Sequence, residues 1–201
     1  MIINKDTKIF ASFSSNPGNN GCTYFNTRFQ EEGIDAIYKS FKADSLKDVV
    51  CSIKTLGIKG FALSMPFKHE ILEYASEYGP GVNEIQAANT VTNKNGWLKA
   101  YNTDWLGVQR YLKERKINSL SIIGDGGFSK AIQYCCKENN YPYEVITRDN
   151  WETINTAKYH TFNATPLDIE LVDTDGRPHT YTGKLISKYQ AEEQYNIYLN
   201  G

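Results

Sequence analysis

The chain has 201 residues, of which 40% are hydrophobic, 13% aromatic and 22% charged, with a net charge of -1 and a pI near 6.3. That balance suits a globular chain long enough for one large or two small domains. No Lys/Arg run is long enough to track a phosphate backbone and no stretch of about 18 apolar residues occurs, so the expectation is no nucleic acid, no membrane and, without the apolar core of a secretion signal, a cytoplasmic location.

In chain order, Lys8 to Phe13 alternates as a strand, and Ser14 to Gly21 is a loop dense in Ser, Asn, Pro and Gly, of the kind that faces a ligand. Thr23 to Glu32 spaces Tyr24, Phe25 and Phe29 as a helix that stops at Gly33, and Ala36 to Phe41 reads as the next strand. Ser45 and Asp48 open a helix whose stripe of Leu46, Val49, Val50, Ile53 and Leu56 ends at Gly57. Ile58 to Leu63 is a third strand, and Pro66 suits the first position of a helix running to about Tyr78. Alternating strands and helices predict a parallel open sheet with ligands beyond the carboxyl ends of its strands, where Ser64 and Lys68 fall.

Ala87 to Asp104 reads as a hairpin, with β-prone runs on either side of Asn95-Gly96 and an Asn-Thr pair at each end. It brings Asn89 and Asn102 together, and with Lys68 and Asp104 they make a nook suited to a hydroxylated small molecule. Taken alone, Asn-Thr is equally turn chemistry and Lys68 a surface lysine. Trp105, Leu106, Val108, Tyr111 and Leu112 then form an amphipathic lead into a second domain.

That domain opens on Leu120 to Ile123, Gly124-Asp125-Gly126-Gly127 and a helical run to Lys137. Strand, glycine-rich turn and helix are the setting a dinucleotide pyrophosphate needs. Tyr143 to Thr147 is a second strand, ending in Arg148-Asp149 where a ribose would be read: Arg148 favours a 2′-phosphate and Asp149 a 2′-hydroxyl. Tyr159 to Asn163 leads to Asn163-Ala164-Thr165-Pro166, Leu167 to Tyr181 is polar and turn-rich, and Gly183 to Leu199 is a final helix. Cys22, Cys51, Cys135 and Cys136 lack metal or redox spacing and read as structural thiols, and His69, His160 and His179 show no ligand pattern.

Gly60-Phe61-Ala62-Leu63-Ser64-Met65-Pro66-Phe67-Lys68, Ala87-Ala88-Asn89-Thr90, Ala100-Tyr101-Asn102-Thr103-Asp104, Gly124-Asp125-Gly126-Gly127, Asn163-Ala164-Thr165-Pro166, and Thr182-Gly183 with Gln190-Ala191-Glu192-Glu193-Gln194-Tyr195 occur in an order that resembles the shikimate dehydrogenase family, most of all its shikimate dehydrogenase-like branch. The resemblance implies an α/β fold with an open α/β substrate-binding catalytic domain over 1–103, completed by a C-terminal helix over 184–201. A reduced Rossmann-like dinucleotide-binding domain would occupy 104–183. It implies an NADP-dependent interconversion of shikimate, or a related polyol carboxylate, and 3-dehydroshikimate in aromatic amino acid biosynthesis, with NAD as the alternative cofactor. The partner would be the small-molecule substrate, and the chain a monomer or homodimer.

Carried over residue by residue, Lys68 is the catalytic lysine and Asp104 its partner. Ser64, Asn89, Asn102 and Gln190 hold ring hydroxyls, and Asn20 or Thr23 the carboxylate. Gly124, Gly126, Gly127, Phe128, Arg148, Asn163 and Thr165 hold the cofactor. The chain departs from the pattern at three places: a shorter loop after the first strand, Asp125 within the glycine-rich turn, and a stretch between Pro166 and Gly183 too short for further strand-helix steps. At ~5 Å and an effective dielectric of about 20, Asp125 would cost roughly 3 kcal/mol per pyrophosphate charge. The alternative expectations are a redox-inactive protein that binds a shikimate-like ligand, and Schiff-base chemistry at Lys68.

Overall fold

The computed structural model describes residues 2–156, 159–165, 167 and 181–200, which divide into two compact units, Met1–Thr103 with Ala191–Gly201, and Asp104–Gln190. The first contains β1 (Lys8–Ser14), α1 (Asn20–Glu31), β2 (Ala36–Lys42), α2 (Leu46–Leu56), β3 (Gly60–Leu63), α3 (Phe67–Glu70), β4 (Glu77–Tyr78), α4 (Val82–Ile85), β5 (Thr90–Lys94) and β6 (Trp97–Tyr101). Its sheet has the order β2-β1-β3-β5-β6-β4. β1 lies parallel to β2 and β3, as the alternation of strands and helices predicts, and β5 runs antiparallel to both β3 and β6, the latter through the expected hairpin, so the sheet as a whole is mixed and not wholly parallel. The tight Asn95-Gly96 turn accounts for the β5–β6 pair, since it can join only antiparallel neighbours.

The helix expected from Pro66 to about Tyr78 is also corrected. α3 stops at Glu70 and a single 3-10 turn, Ile71–Glu73, follows. Beyond it the backbone N–H of Ser76 donates to Leu98 and that of Gly79 to Ala100, because the edge of β6 takes the donors a longer helix would have used.

α2 forms as its sequence predicts. The Ser45 hydroxyl accepts from the Asp48 N–H, Leu46, Val49, Val50 and Ile53 are buried, and Gly57 closes the helix in the left-handed conformation. Its apolar face meets Ala11, Phe13, Phe61 and Leu63 on one side of the sheet. On the other side Phe10 packs with Phe25 and Phe29 of α1 and with Tyr195 and Tyr198 of the C-terminal helix α7 (Gly183–Asn200). Alternation along β1 thus feeds two cores. Gly60 permits the second one: a Cβ there would lie 2.7 Å from the Tyr198 ring and 3.2 Å from the Val91 carbonyl.

The second unit holds α5 (Thr103–Arg115), which begins one residue before it, then β7 (Leu120–Ile123), α6 (Gly127–Glu138), β8 (Tyr143–Ile146), β9 (His160–Asn163) and β10 (Tyr181–Thr182). All four strands are parallel, in the order β10-β9-β7-β8. In the usual doubly wound order, 3-2-1-4-5-6, the strand after the second extends the sheet beyond it. Here β9 lies on the far side of β7, the place of a fourth strand. The sheet therefore draws two strands from each half of such a fold, and is not the first half alone. A 3-10 segment, Arg148–Thr156, kinked at Asn150, leads from β8 toward β9. The polar stretch expected over Leu167 to Tyr181 lies outside the described residues from 168 to 180.

Candidate active site

The hairpin frames the site in the first unit. Asn95 and Gly96 adopt φ of 54° and 90°, and the register pairs Thr90 with Tyr101, so Asn89 and Asn102 flank the open end of the ladder. The Asn89 N–H donates to the Tyr101 carbonyl at 3.0 Å. The Asn89 Oδ1 accepts from the Thr103 N–H at 2.8 Å, the Thr103 hydroxyl at 3.1 Å and the Thr90 hydroxyl at 3.0 Å. With its oxygen committed in this way, the Nδ2 is the donor end of the Asn89 side chain. The Asn102 Nδ2 donates to the Ala87 carbonyl at 3.0 Å, and both asparagines are 1% exposed.

The Ser64 to Lys68 segment is bonded to the same frame. Leu63 N–H donates to the Asn89 carbonyl, Ala88 N–H to the Lys68 carbonyl, and Ser64 N–H to the Phe13 carbonyl at the end of β1. Phe67 is buried and anchors α3, while Ser64 is exposed and Lys68 half-buried. The structure thus brings Ser64, Lys68, Asn89 and Asn102 together at the carboxyl ends of β1 and β3. Asp104, 5% exposed, follows directly on Thr103. Asn20 and Thr23 are exposed in the first turns of α1, whose Asn19 N-cap makes no side-chain capping bond.

Gln190 is half-buried and packs against Gly107, where a Cβ would lie 2.9 Å from its backbone nitrogen. The glutamine bonded to the hairpin is Gln194, one helical turn further on. It is 7% exposed and its Nε2 donates to the Thr90 hydroxyl at 3.0 Å and toward the Asn89 carbonyl at 3.5 Å. Gln194 stands in the same motif as Gln190, and its i,i+4 spacing puts both on one face of the helix.

In the second unit a cleft of about 510 Å³ opens at the carboxyl ends of the strands, lined by Gly124, Asp125, Arg148, Asp149, Trp151 and Thr165 among others. Gly124 sits at φ 102° and a Cβ there would meet Thr165 Cγ2 at 2.7 Å, so only glycine lets these two loops approach. Asn163 shapes the cleft from below: its Oδ1 accepts from the Thr165 N–H and hydroxyl, and its Nδ2 donates to the Leu167 carbonyl. Gly126 and Gly127 open α6 without a side-chain cap, and Phe128 turns its ring onto Phe162. Asp125 is exposed and accepts from Gln133 Nε2 at 3.5 Å. Trp151, absent from the sequence-predicted site, follows Arg148 and Asp149 into the cleft. Burial pushes the Cys135 and Cys136 thiols to about 12, which suits packing and not nucleophilic work. Among the described residues no His, Cys, Asp and Glu cluster could hold a metal ion, and no helix is long and apolar enough to cross a membrane.

Residues 21–91 match the family model of the shikimate dehydrogenase substrate binding domain. A shikimate dehydrogenase-like protein of Haemophilus influenzae is 34% identical over 155 residues, covering 76% of this chain and 57% of that protein. An NADP(+) shikimate dehydrogenase of Caldicellulosiruptor saccharolyticus is 42% identical over 110 residues, covering 51% of this chain and 39% of that one. The chain spans less than two thirds of the length of these curated relatives. A solved shikimate 5-dehydrogenase-like protein superposes with a TM-score of 0.84 at 25% identity, covering 100% of this chain and 94% of the other. The Listeria monocytogenes shikimate 5-dehydrogenase, solved with shikimate and NAD, superposes at 0.80 with 21% identity, covering 99% and 94%.

Proposed function

We propose, on the premise that this chain belongs to the shikimate dehydrogenase family, that it interconverts shikimate, or a related polyol carboxylate, and 3-dehydroshikimate with NADP. The observation that carries this is the bonded frame holding Ser64, Lys68, Asn89 and Asn102 at one set of strand ends, with Asp104 next in the chain after Thr103. Residues 1–103 with the C-terminal helix take the substrate, and 104–183 the cofactor.

Asn89 and Asn102 donate to ring hydroxyls, with Ser64 and Gln190 completing the set. The uncapped N–H groups at the start of α1, beside Asn20 and Thr23, suit a carboxylate. Reduction of a ketone builds alkoxide charge, which the Lys68 ammonium stabilises and protonates, with Asp104 as its catalytic partner. NADP, when bound, supplies the hydride. The cleft suits that cofactor: Gly124 and Thr165 leave backbone close to the pyrophosphate, Gly126, Gly127 and Phe128 present helix N–H groups, and Arg148 favours a 2′-phosphate. The same reading carries a cytoplasmic location and a monomer or homodimer as its expectations.

Nicotinamide fluorescence with shikimate and NADP or NAD tests the proposal. Turnover that falls by about 10²-fold or more in Lys68→Ala is the expected result. No turnover with either cofactor, at protein levels where wild type and Lys68→Ala match, overturns it. Asp125 on the cleft favours a second reading, a redox-inactive protein for shikimate-like ligands. Calorimetric binding of shikimate with none for either cofactor selects it.

A further inference from the structure

We infer that Trp151 is the platform on which the adenine ring of the cofactor stacks. That role rests on the proposed reading of the second unit's cleft as the cofactor site and specifies its base end.

Trp151 is 39% exposed and lines the cleft of about 510 Å³ together with Ile146, which is 1% exposed, and Leu167. Among the described residues no other aromatic ring packs on it, whereas Trp105 is 8% exposed and meets Tyr134 edge to face at 5.1 Å. Trp105 is thus a core residue, and Trp151 is not. An exposed indole on the wall of a concave, partly apolar cleft is a surface suited to a flat ligand.

Side-chain bonds fix the backbone that carries it. The Asn150 Oδ1 accepts from the Thr147 N–H at 2.6 Å and the Thr147 hydroxyl at 3.2 Å, and the Asn150 Nδ2 donates to the Val145 carbonyl at 3.0 Å. The Asp149 N–H donates to Thr147 Oγ1 at 3.2 Å. At Asn150 the 3-10 segment breaks, with φ of -132° and ψ of 32°, so Trp151 is the first residue past the kink. A ring carried on backbone tied to the end of β8 loses less freedom on binding than one on a slack loop.

Position in the sheet assigns the base. In a doubly wound sheet the turn after the first strand takes the pyrophosphate, and the end of the second takes the ribose. Gly124 after β7 holds the first place, and Arg148 and Asp149 after β8 the second. The base attached to that ribose is then the part of the cofactor within reach of Trp151, three residues past Arg148. Arg148 and Asp149 meet the 2′ group, whereas an indole meets only the π face of the base. Trp151 therefore holds NAD and NADP alike, and leaves the choice between them to its neighbours.

Calorimetry and intrinsic fluorescence on the whole chain test this role. Trp151→Ala should bind NADP and NAD ~10-fold more weakly, by the same factor for both and equally at low and high salt, because stacking depends little on charge. Melting temperature and shikimate affinity should hold. AMP, which carries no pyrophosphate for Asp125 to repel, supplies a second readout. Excited at the red edge of the tryptophan band, where adenine does not absorb, wild type should be quenched by millimolar AMP and Trp151→Phe should not. Trp151→Ala that matches wild type for both dinucleotides, or that loses NADP alone, overturns the inference. Dinucleotide binding with no quench by AMP overturns it too, and leaves the cofactor reading standing. A quench by AMP that Trp151→Phe abolishes, with no binding of either dinucleotide, upholds the stacking role and overturns the NADP part of the proposed function.

Discussion

Tyr198 places a phenol among Phe10, Phe25 and Tyr38, and its hydroxyl is the one buried side-chain oxygen without a hydrogen-bond partner among the described residues. Burial raises its pKa well above that of a free tyrosine, so the group is neutral at any working pH. Removing an unpaired buried hydroxyl costs no hydrogen bond, and Tyr198→Phe is expected to hold or raise stability, by about 1 kcal/mol in urea unfolding. A loss of that size would show that the hydroxyl is bonded. Gly124 presents the opposite case, because no larger side chain fits. Its φ of 102° and the 2.7 Å approach to Thr165 make Gly124→Ala cost about 1–3 kcal/mol. That strain falls at the cofactor cleft, so NADP affinity should drop in calorimetry while shikimate affinity stays. An equal loss of both would assign Gly124 a general structural role.

At the scale of elements, α7 is tied to α1 by a small charged cluster. The Tyr195 hydroxyl donates to Glu32 Oε2 at 2.7 Å, Arg28 Nε donates to Glu32 Oε1 at 2.9 Å, and the Arg28 guanidinium lies 3.8 Å above the Tyr195 ring. The Tyr195 hydroxyl and then Arg28 hold the Glu32 carboxyl below the usual carboxylate range. A depressed folded pKa gives stability that is present above the unfolded value, about 4.3, and lost as pH falls through the folded one. Wild type should therefore lose melting temperature below about pH 5 more steeply than Glu32→Gln, with hydrogen exchange over 191–200 rising first. Parallel melting curves for the two proteins would rule the tie out.

Elements with a strong local signal, such as the Ser45 cap of α2 or the Asn95-Gly96 turn, were legible in the sequence to within a residue or two. The end of α3 was not, because edge pairing to β6, contributed from some twenty residues downstream, decided it. The side of β7 taken by β9 was not legible either, since hydrophobic periodicity carries no strand order. In the candidate site, Lys68, Asn89 and Asn102 stood in recognisable motifs. Gln194 looked like one more polar position on a helix until its burial against Thr90 was known.

At the scale of the whole molecule, the first unit is discontinuous in sequence, since Ala191–Gly201 belong with Met1–Thr103. Those last residues supply Tyr195 and Tyr198, 2% and 8% exposed, to a core they share with β1, β2 and α1. Two buried aromatics contribute about 3–6 kcal/mol by burial alone, against a typical total stability of about 5–15 kcal/mol. Cutting them away also leaves Gly60 and the rings of Phe10, Phe25 and Phe29 open to water on one face of the sheet. A fragment of residues 1–103 is therefore expected to lack fixed tertiary packing, with far-UV helix and strand signals but poor proton dispersion. Adding a peptide of residues 184–201 should restore dispersion and, because Gln194 arrives with it, shikimate binding. A 1–103 fragment that is well dispersed and binds shikimate alone would mean that the N-terminal sheet does not need the last helix for its core or its site.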